Sequence, residues 1–383
     1  MFRKTPLAWL QVTREKTRLA VALAGIAFAD ILMFLQLGFK DALYDSSVRP
    51  HYTFQGDLVL VNAQFETFFS VKSFPRARLF QAAGFEGVES VNHLYAATAR
   101  WRSPDTRMER PILLFGFDPA QSAFNIPEVN QKADSLKMLD RVLFDAASRP
   151  EFGVVPLFEK NGTVETEMND ILIHVTGLFH LGASFTADGT AIVSDSTFLR
   201  LFPEREADAL DVGLIHLKPG IDVEKVKAQL RTQLPKDVQV LTINEFAELE
   251  KAYWANSTAI GFIFSLGAGV GFIVGIVIVY QILYTDVSDH LPEYATLKAM
   301  GYTDFYLIQV LAQEALILAF LGFIPGFALS LGMYNLAAGA TMLPIGMSLN
   351  RSIVVFILTI VMCVGSGTIA LRKLQKADPA DIF

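Results

Sequence analysis

The stretch TAIGFIFSLGAGVGFIVGIVIVYQILY, residues 258–284, decides the fold class of this chain. It contains no charged side chain, and about 20 consecutive apolar residues suffice for an α-helix to cross a bilayer. We therefore predict that residues 258–284 span a membrane. Three other stretches of similar length and composition, at residues 18–39, 304–333 and 352–372, lead to the same prediction.

The composition of the whole chain sets two limits on its class. Of its 383 residues 52% are hydrophobic, and the mean hydropathy is +0.38. This is too apolar for an ordinary soluble protein, whereas 19% of charged residues is too many for a chain that lies wholly in a membrane. We therefore expect a membrane protein with four transmembrane α-helices and a large α+β extracytoplasmic domain between helices 1 and 2.

Basic residues near the predicted helices give the orientation. Five precede the first helix and three follow the last, namely Arg3, Lys4, Arg14, Lys16 and Arg18, then Arg372, Lys373 and Lys376. Because such residues favour the cytoplasmic side, an even number of spans places both termini in the cytoplasm. Residues 40–257 then lie outside, with 22 Lys and Arg against 30 Asp and Glu. This acidic balance argues against a nucleic-acid partner.

The predicted transmembrane helices divide the rest of the chain into cytoplasmic and external segments. Residues 1–17 combine apolar and basic side chains, which is typical of an amphipathic helix at the cytoplasmic interface. Residues 40–257 are expected to form two α+β subdomains, with the part after residue 212 packing near residues 45–90. The remaining segments are a cytoplasmic loop with a short helix at 285–303, a short external loop at 334–351 and a cytoplasmic tail at 373–383.

Strand patterns recur in the external domain. GDLVLVN, residues 56–62, is interpreted as an alternating strand, and residues 91–117 as two strands around a turn at 103–106. Residues 212–243 predict a strand, a helix and a strand, with Val226 and Leu230 on one helical face. Strands are also predicted within 169–179 and 190–202.

The short helix in the cytoplasmic loop is LPEYATLKAMG, residues 291–301. Pro292 suits a first helical turn, Glu293 beside it favours the positive end of the helix dipole, and Gly301 is well placed to end the helix. Acidic residues outnumber basic ones around it, which favours a protein partner over anionic lipid. The alternative interpretation is a surface helix that only connects two spans.

Small residues form stripes on two of the predicted helices. Gly267, Gly271 and Gly275 are four residues apart, and Gly322, Gly326 and Ser330 repeat the spacing. Such faces permit close helix contact, either within one subunit or between two copies in a dimer. Asp30 lies deep in the first helix, where an acid is a functional hypothesis by default. A protonated or hydrogen-bonded structural residue is the alternative for Asp30.

The sequence lacks common motifs of catalysis. It contains no G-x-x-x-x-G-K-[ST] phosphate-binding loop and no G-x-S-x-G motif. His174 and His180 are six residues apart on strand-like sequence, unlike the pair of a helical zinc site. The one cysteine, Cys363, falls in the last predicted span. We therefore expect no enzyme activity, no metal and no cofactor in this chain.

Three stretches resemble the MacB/FtsX-type permeases of ABC transporters. EYATLKAMGYTDFYLIQVLAQEALIL, residues 293–318, resembles the segment that contains the coupling helix of that family. DPADIF, residues 378–383, resembles the end of those permeases, and residues 6–39 are most similar to the cyanobacterial DevC-like branch. The layout of one span, an external domain and three spans is also that of the family.

The resemblance implies a function and a set of partners. Residues 291–301 would be the coupling helix that contacts a separate ABC ATPase, through Glu293, Leu297, Lys298, Met300 and Gly301. ATP would bind to that partner subunit, and the chain would act as a homodimer in a bacterial inner membrane with residues 40–257 in the periplasm. The DevC-like branch implies export, of glycolipid in heterocyst-type systems, through a periplasmic adaptor and an outer-membrane channel, by mechanotransmission.

Two alternatives remain at this point. One is a lipoprotein-releasing or cell-division permease of the same superfamily. The other belongs to a different class, a membrane-anchored binding or signalling protein without a transport role. A neighbouring gene for an ATPase and another for an adaptor would speak against the second alternative.

Overall fold

The computed structural model describes residues 7–290, 292–293, 296 and 300–376, with the side chains of all of these except residues 7, 10–12, 304, 307 and 371–376. The chain forms two compact units. The first contains residues 1–41, 260–341 and 345–383, and the second contains residues 42–259 and 342–344. In sequence terms, the second unit is thus inserted between the first and second long helices.

Helices make up the first unit. A short helix α1, Leu7–Arg14, precedes four long ones: α2 Lys16–Thr53, α9 Ala259–Asp289, α10 Asp304–Thr341 and α11 Leu349–Lys376. All four long helices contain segments long and apolar enough to cross a membrane. The described part of the chain thus contains four candidate transmembrane helices, with a large mixed domain between the first and the second.

Two of these helices extend beyond the predicted spans. Helix α2 continues from residue 39 to Thr53, and α10 continues from residue 333 to Thr341, so that only residues 342–348 connect α10 to α11. The predicted external loop at 334–351 is therefore too long. The physical reason is that hydropathy measures the apolar part of a helix, whereas the helix itself continues wherever its polar residues also find partners.

The second unit is built on a nine-stranded sheet in the order β11-β1-β10-β3-β4-β8-β5-β7-β6. Its strands are β1 Leu58–Asn62, β3 Val88–Arg102, β4 Glu109–Phe117, β5 Arg141–Asp145, β6 Val164–Met168, β7 Ile171–Phe179, β8 Thr190–Ser194, β10 Val212–Leu217 and β11 Val238–Thr242. A separate pair is formed by β2 Phe74–Pro75 and β9 Ala209–Leu210. The helices are α3 Arg76–Ala83, α4 Pro127–Lys132, α5 Val155–Asn161, α6 Asp195–Leu201, α7 Val223–Gln233 and α8 Ile243–Ala252.

The prediction of two subdomains was wrong, because strand β3 joins both parts into one sheet. The first half of β3 pairs with β10, and its second half pairs with β4 from Leu94 to Arg102. Its last residues, Trp101 and Arg102, also pair with β6, which closes six strands into a barrel. Strands β10, β1 and β11 extend from this barrel, so the part after residue 212 does pack against residues 58–62 as expected.

Strand β1 is buried on both faces of the sheet. Neighbouring residues of β1 belong to different hydrophobic clusters, Leu58 and Leu60 to one and Val59 and Val61 to the other. The first cluster includes Trp101 and Phe144, and the second is rich in phenylalanine. The strand predicted within residues 56–62 is confirmed as β1, but its apolar side chains are buried on both faces instead of alternating with polar ones. Helices cover both faces of β1, which leaves no side for polar residues.

Candidate functional site

The loop between α9 and α10 holds the predicted coupling stretch. Residues 292, 293 and 296 are helical, and the backbone N–H of Met300 donates to the carbonyl of Thr296 at 3.0 Å. Gly301 has a φ of 94°, the left-handed conformation with which glycine ends helices. The side chain of Met300 is 64% exposed. Leu297 and Lys298 lie outside the described residues.

Three acidic residues in or next to this stretch, Asp286, Asp289 and Glu293, are paired within the chain. The guanidinium of Arg18, on α2, donates to Asp286 at 3.2 Å and also to Asp289, both at the end of α9. Glu293 lies 3.8 Å from Arg14 in an exposed ion pair. These ion pairs offset the acidity of the loop within the chain, and the preference for a protein partner over anionic lipid stays a prediction. The two arginines are far away in sequence from these acids, Arg14 on α1 and Arg18 on α2.

The glycines of α9 lie against α2. A β-carbon added to Gly267 would lie 2.5 Å from the side chain of Gln36, one on Gly271 3.1 Å from Leu32, and one on Gly275 2.8 Å from Ala29. The glycines of α10 also lie against α2. A β-carbon added to Gly322 would lie 2.6 Å from the side chain of Ile26, and one on Gly326 would lie 2.8 Å from that of Asp30. These five glycines therefore lie in close helix contacts within one chain, and a role of the stripes in a dimer interface stays a prediction. Helix α2 lies between them.

Asp30 joins α2 to the last helix. It is fully buried, and its Oδ1 accepts a hydrogen bond of 2.6 Å from the hydroxyl of Thr359, on α11. Its Oδ2 has no hydrogen-bond partner among the described residues and lies close to Gly326. Asp30 is thus a hydrogen-bonded residue of the helix interface, and any further role for it stays a prediction.

A second polar contact connects α2 with α11 near Asp41, the last residue of α2 that belongs to the first unit. The Nε of Arg351 donates to Asp41 at 2.9 Å, and its NH1 donates to the carbonyl of Gly346 at 2.7 Å. The guanidinium also lies 5.5 Å from the ring centre of Tyr334, whose hydroxyl donates to the carbonyl of Phe34. Ion pairs, glycine contacts and hydrogen bonds therefore attach α2 to all three other long helices.

The last turns of α2 belong to the second unit and are anchored there. The hydroxyl of Ser46 accepts a hydrogen bond of 3.1 Å from the N–H of Phe185, and Arg49 donates to the carbonyl of Leu181 at 3.3 Å. Both partners lie in the loop that follows strand β7. The imidazole of His51 is fully buried between Phe68 and Phe246, with ring centres at 4.8 and 4.5 Å. The last turns of α2 are thus part of the core of the second unit.

Glu250 is the polar centre beside His51. Its carboxylate accepts hydrogen bonds from the hydroxyl of Thr67 at 2.7 Å, the indole of Trp254 at 2.8 Å and the backbone N–H of Phe68 at 3.0 Å, and it lies 3.7 Å from His51. Burial raises the pKa of Glu250, and the three hydrogen bonds oppose that shift. This cluster joins the segment that enters the unit, α2, to the segment that leaves it, after α8.

Sequence reasoning missed Arg18, Arg351 and Glu250. Arg351 directly precedes a predicted span and Arg18 falls at the start of another, where charged residues are common and carry no special signal. Glu250 follows a T-x-x-E capping box, Thr242 to Glu245, which indicates the helix but not a buried acid. The two histidines that the sequence did not favour as a zinc pair have different acidic neighbours. His174 lies beside Glu165, and His180 lies beside Glu128.

Comparison with known proteins places part of this chain near one family. Residues 258–379 match the family described as FtsX-like permease C-terminal. Comparison of the chain with curated protein sequences gives no match.

Two solved structures are similar to part of the chain. One is the periplasmic region of MacB from Actinobacillus actinomycetemcomitans, with 10% identity and a TM-score of 0.34, covering 52% of this chain and 93% of the other. Another is the extracellular domain of the noncanonic ABC-type transporter YknZ from Gram-positive bacteria, with 12% identity and a TM-score of 0.32, covering 49% and 99%.

Proposed function

We propose that this chain is the transmembrane permease subunit of an ABC-type transporter of the MacB/FtsX superfamily. The observation that carries the proposal is the match of residues 258–379 to the FtsX-like permease C-terminal family. The matched region contains the loop 291–301 and three of the four long helices. The membrane would be a bacterial inner membrane, with both termini in the cytoplasm and residues 40–257 in the periplasm.

The loop would receive the motion of a separate ATPase. In this proposal Leu297 and Met300 enter a groove of the ATPase. Glu293 and Lys298 form the charged edge of the coupling helix, and Gly301 ends that helix. The exposed side chain of Met300 and the left-handed Gly301 support this use. Short helices that bind grooves concentrate their binding energy in a few buried side chains. ATP would be bound and hydrolysed by the partner, and this chain would need no cofactor.

Helix α2 would carry the motion further. It packs against the glycines of α9 and α10, so a displacement of either helix changes the contacts of α2 directly. It is also one unbroken helix from Lys16 to Thr53, and its last turns are bonded to the loop after β7. We therefore infer mechanotransmission: the ATPase moves the loop, the loop moves the long helices, and α2 alters the external domain.

The remaining parts of the proposal concern the assembly. We propose a homodimer that works with a periplasmic adaptor and an outer-membrane channel to export its substrate, as implied by the resemblance to DevC-like permeases. Glycolipid is the cargo class that this resemblance suggests. The glycine stripes are occupied within one chain, so a second copy would have to bind through another face.

Purification from native membranes tests the proposal. We expect the tagged chain to retain an ABC ATPase, and the double variant Leu297→Ala with Met300→Ala to lose it, since each buried anchor contributes about 2 kcal/mol or more. Glu293→Lys should also weaken retention, and less so at high salt. Met138→Ala is the matched control, because Met138 is 61% exposed but lies in the second unit.

Two outcomes would contradict the proposal. If no ATPase is retained by the wild-type chain, its assignment as a permease subunit fails. If the ATPase is retained equally by the double variant and by the control, the loop is a connector and the ATPase binds elsewhere.

A further inference from the structure

A small cavity lies in the first unit, at the end that carries the 290–303 loop. Helices α2, α9 and α10 line it, together with Glu15 just before α2, and its volume is about 30 Å³. Its walls are mainly aliphatic, including Leu283 and Leu318, and its charged residues are Glu15, Arg18, Asp286 and Glu314. A water molecule needs about 10–15 Å³ of such volume, so the cavity has room for about two water molecules.

Glu314 is the unusual member of this group. Its side chain is 1% exposed, and neither carboxylate oxygen has a hydrogen-bond partner among the described residues. Asp286, in contrast, lies 3.2 Å from Arg18. An ionised carboxylate buried without a partner costs several kcal/mol, so Glu314 must be neutral or must bind a cation.

The surroundings of Glu314 restrict what that cation is. Arg18 lines the same cavity, but its guanidinium is already bonded to Asp286 and Asp289, with Glu15 at 3.3 Å. His290 lies 3.6 Å from Asp286 and so belongs to the same network. Within the described part of the chain no three His, Cys, Asp or Glu side chains are arranged to hold a metal ion. A proton needs no such ligand set.

We propose that this cavity is a water-filled proton-binding site with Glu314 as the acceptor. A carboxylate oxygen of Glu314 forms an O–H bond with a proton delivered by water in the cavity, and the negative charge disappears. On release the proton returns to that water, and the charge at Glu314 reappears beside Asp286. Arg18 is the cation that can then bind Glu314, at the expense of its bonds to Asp286 and Asp289. The state of Glu314 thereby sets how firmly α2 holds the end of α9.

This site does not depend on the transport function proposed above, and its test measures the proton itself. The purified full-length chain, in lipid nanodiscs, is studied by infrared difference spectroscopy of wild type minus Glu314→Gln while the pH is raised. We expect a carbonyl band of a protonated carboxylic acid in the wild type, which is absent from the variant and is lost at high pH. In D₂O the band should shift, because water reaches the group.

Matched variants make the result specific. Asp30→Asn removes another buried acid and should leave the Glu314 band in place. If Glu314→Gln does not fold, Glu314→Asp replaces it in the experiment, and we expect this variant to keep a carboxylic acid band. A difference spectrum without a carboxylic acid band at any pH overturns the proposal. So does a carboxylate signal that responds to added Na⁺ or K⁺ instead of pH, since the occupant is then a metal cation.

Discussion

Gly275 of α9 and Ala29 of α2 are in such close contact that a β-carbon on Gly275 would lie 2.8 Å from the β-carbon of Ala29. The same β-carbon would also meet the sulfur of Met362, on α11. Three helices therefore come together at a position where only a hydrogen atom fits. In a membrane, where apolar residues gain little from leaving lipid, such close backbone approach is a main source of helix association.

We predict that Gly275→Leu lowers the stability of the purified chain, by about 1–3 kcal/mol if the helices separate only slightly. Gly271→Leu should act in the same direction, because a β-carbon there would lie 3.1 Å from Leu32. Thermal unfolding in detergent measures both effects. Gly269→Leu is the matched control on the same helix, since Gly269 has no atom within 4 Å of its added β-carbon. Equal loss in the control would refute the packing assignment.

The contact between Arg351 and Asp41 yields a second prediction. The Arg351 side chain is 6% exposed and that of Asp41 is 46% exposed, so the pair is only partly shielded from water. We expect Asp41→Asn to destabilise the chain by about 1–2 kcal/mol, and Arg351→Met by more, because the arginine also bonds Gly346 and packs on Tyr334. A double-mutant cycle of chemical denaturation measures the coupling. Strict additivity of the two changes would show that the pair contributes nothing.

Glu250 yields a prediction on pH. Its pKa is raised by burial above the ordinary value of 4.5, so the folded state binds its proton more tightly than the unfolded state does. Protonated Glu250 therefore contributes to the free energy of unfolding. This contribution is complete below pH 4.5 and is lost as the pH rises through the folded-state pKa of Glu250. We expect Glu250→Gln to remove this part of the pH dependence of unfolding.

Glu248→Gln is the control for that experiment, because Glu248 lies on the same helix α8 and its side chain is 68% exposed. Unfolding free energies are compared for wild type and both variants across the acidic and neutral range. A wild-type stability that does not decline with rising pH relative to Glu250→Gln would show that burial is outweighed by the hydrogen bonds from Thr67, Trp254 and Phe68.

A fourth prediction concerns ATP. The sequence contains no phosphate-binding loop, and we expect the purified chain, free of other subunits, neither to bind a fluorescent ATP analogue nor to release phosphate from ATP. A preparation that keeps its copurified ATPase serves as the positive control. Hydrolysis that persists in a preparation shown by mass spectrometry to lack an ATPase would place a nucleotide site in this chain.

Local patterns predicted a large part of the fold. The strand, helix and strand expected within residues 212–243 are β10, α7 and β11, and Val226 and Leu230 are buried on one face of α7. The hairpin expected around residues 103–106 is formed by β3 and β4. Each of these elements is specified by side chains next to one another in the chain, through period, capping and turn residues, and such information is contained in a short window.

Other features depend on partners far away in the chain. Strand β6, VETEM, alternates glutamates with buried residues over only five positions, and its pairing with both β7 and β3, which closes the barrel, is decided by the rest of the sheet. The continuation of α2 to Thr53 depends on Ser46, Arg49 and His51 finding partners more than 130 residues away. No property of those residues in their own segment indicates such partners.

The candidate site divides in the same way. By itself the sequence determined four apolar helices, the position of the polar loop at 291–301 and two glycine stripes, because length, hydropathy and spacing are properties of contiguous residues. Only the tertiary structure decided that both stripes contact α2, that Arg18 pairs with the acids beside the loop, and that Glu314 has no hydrogen-bond partner among the described residues. The reason is physical: the environment of a charge or a glycine in a membrane protein is set by the neighbouring helices, and which helices those are depends on the whole chain.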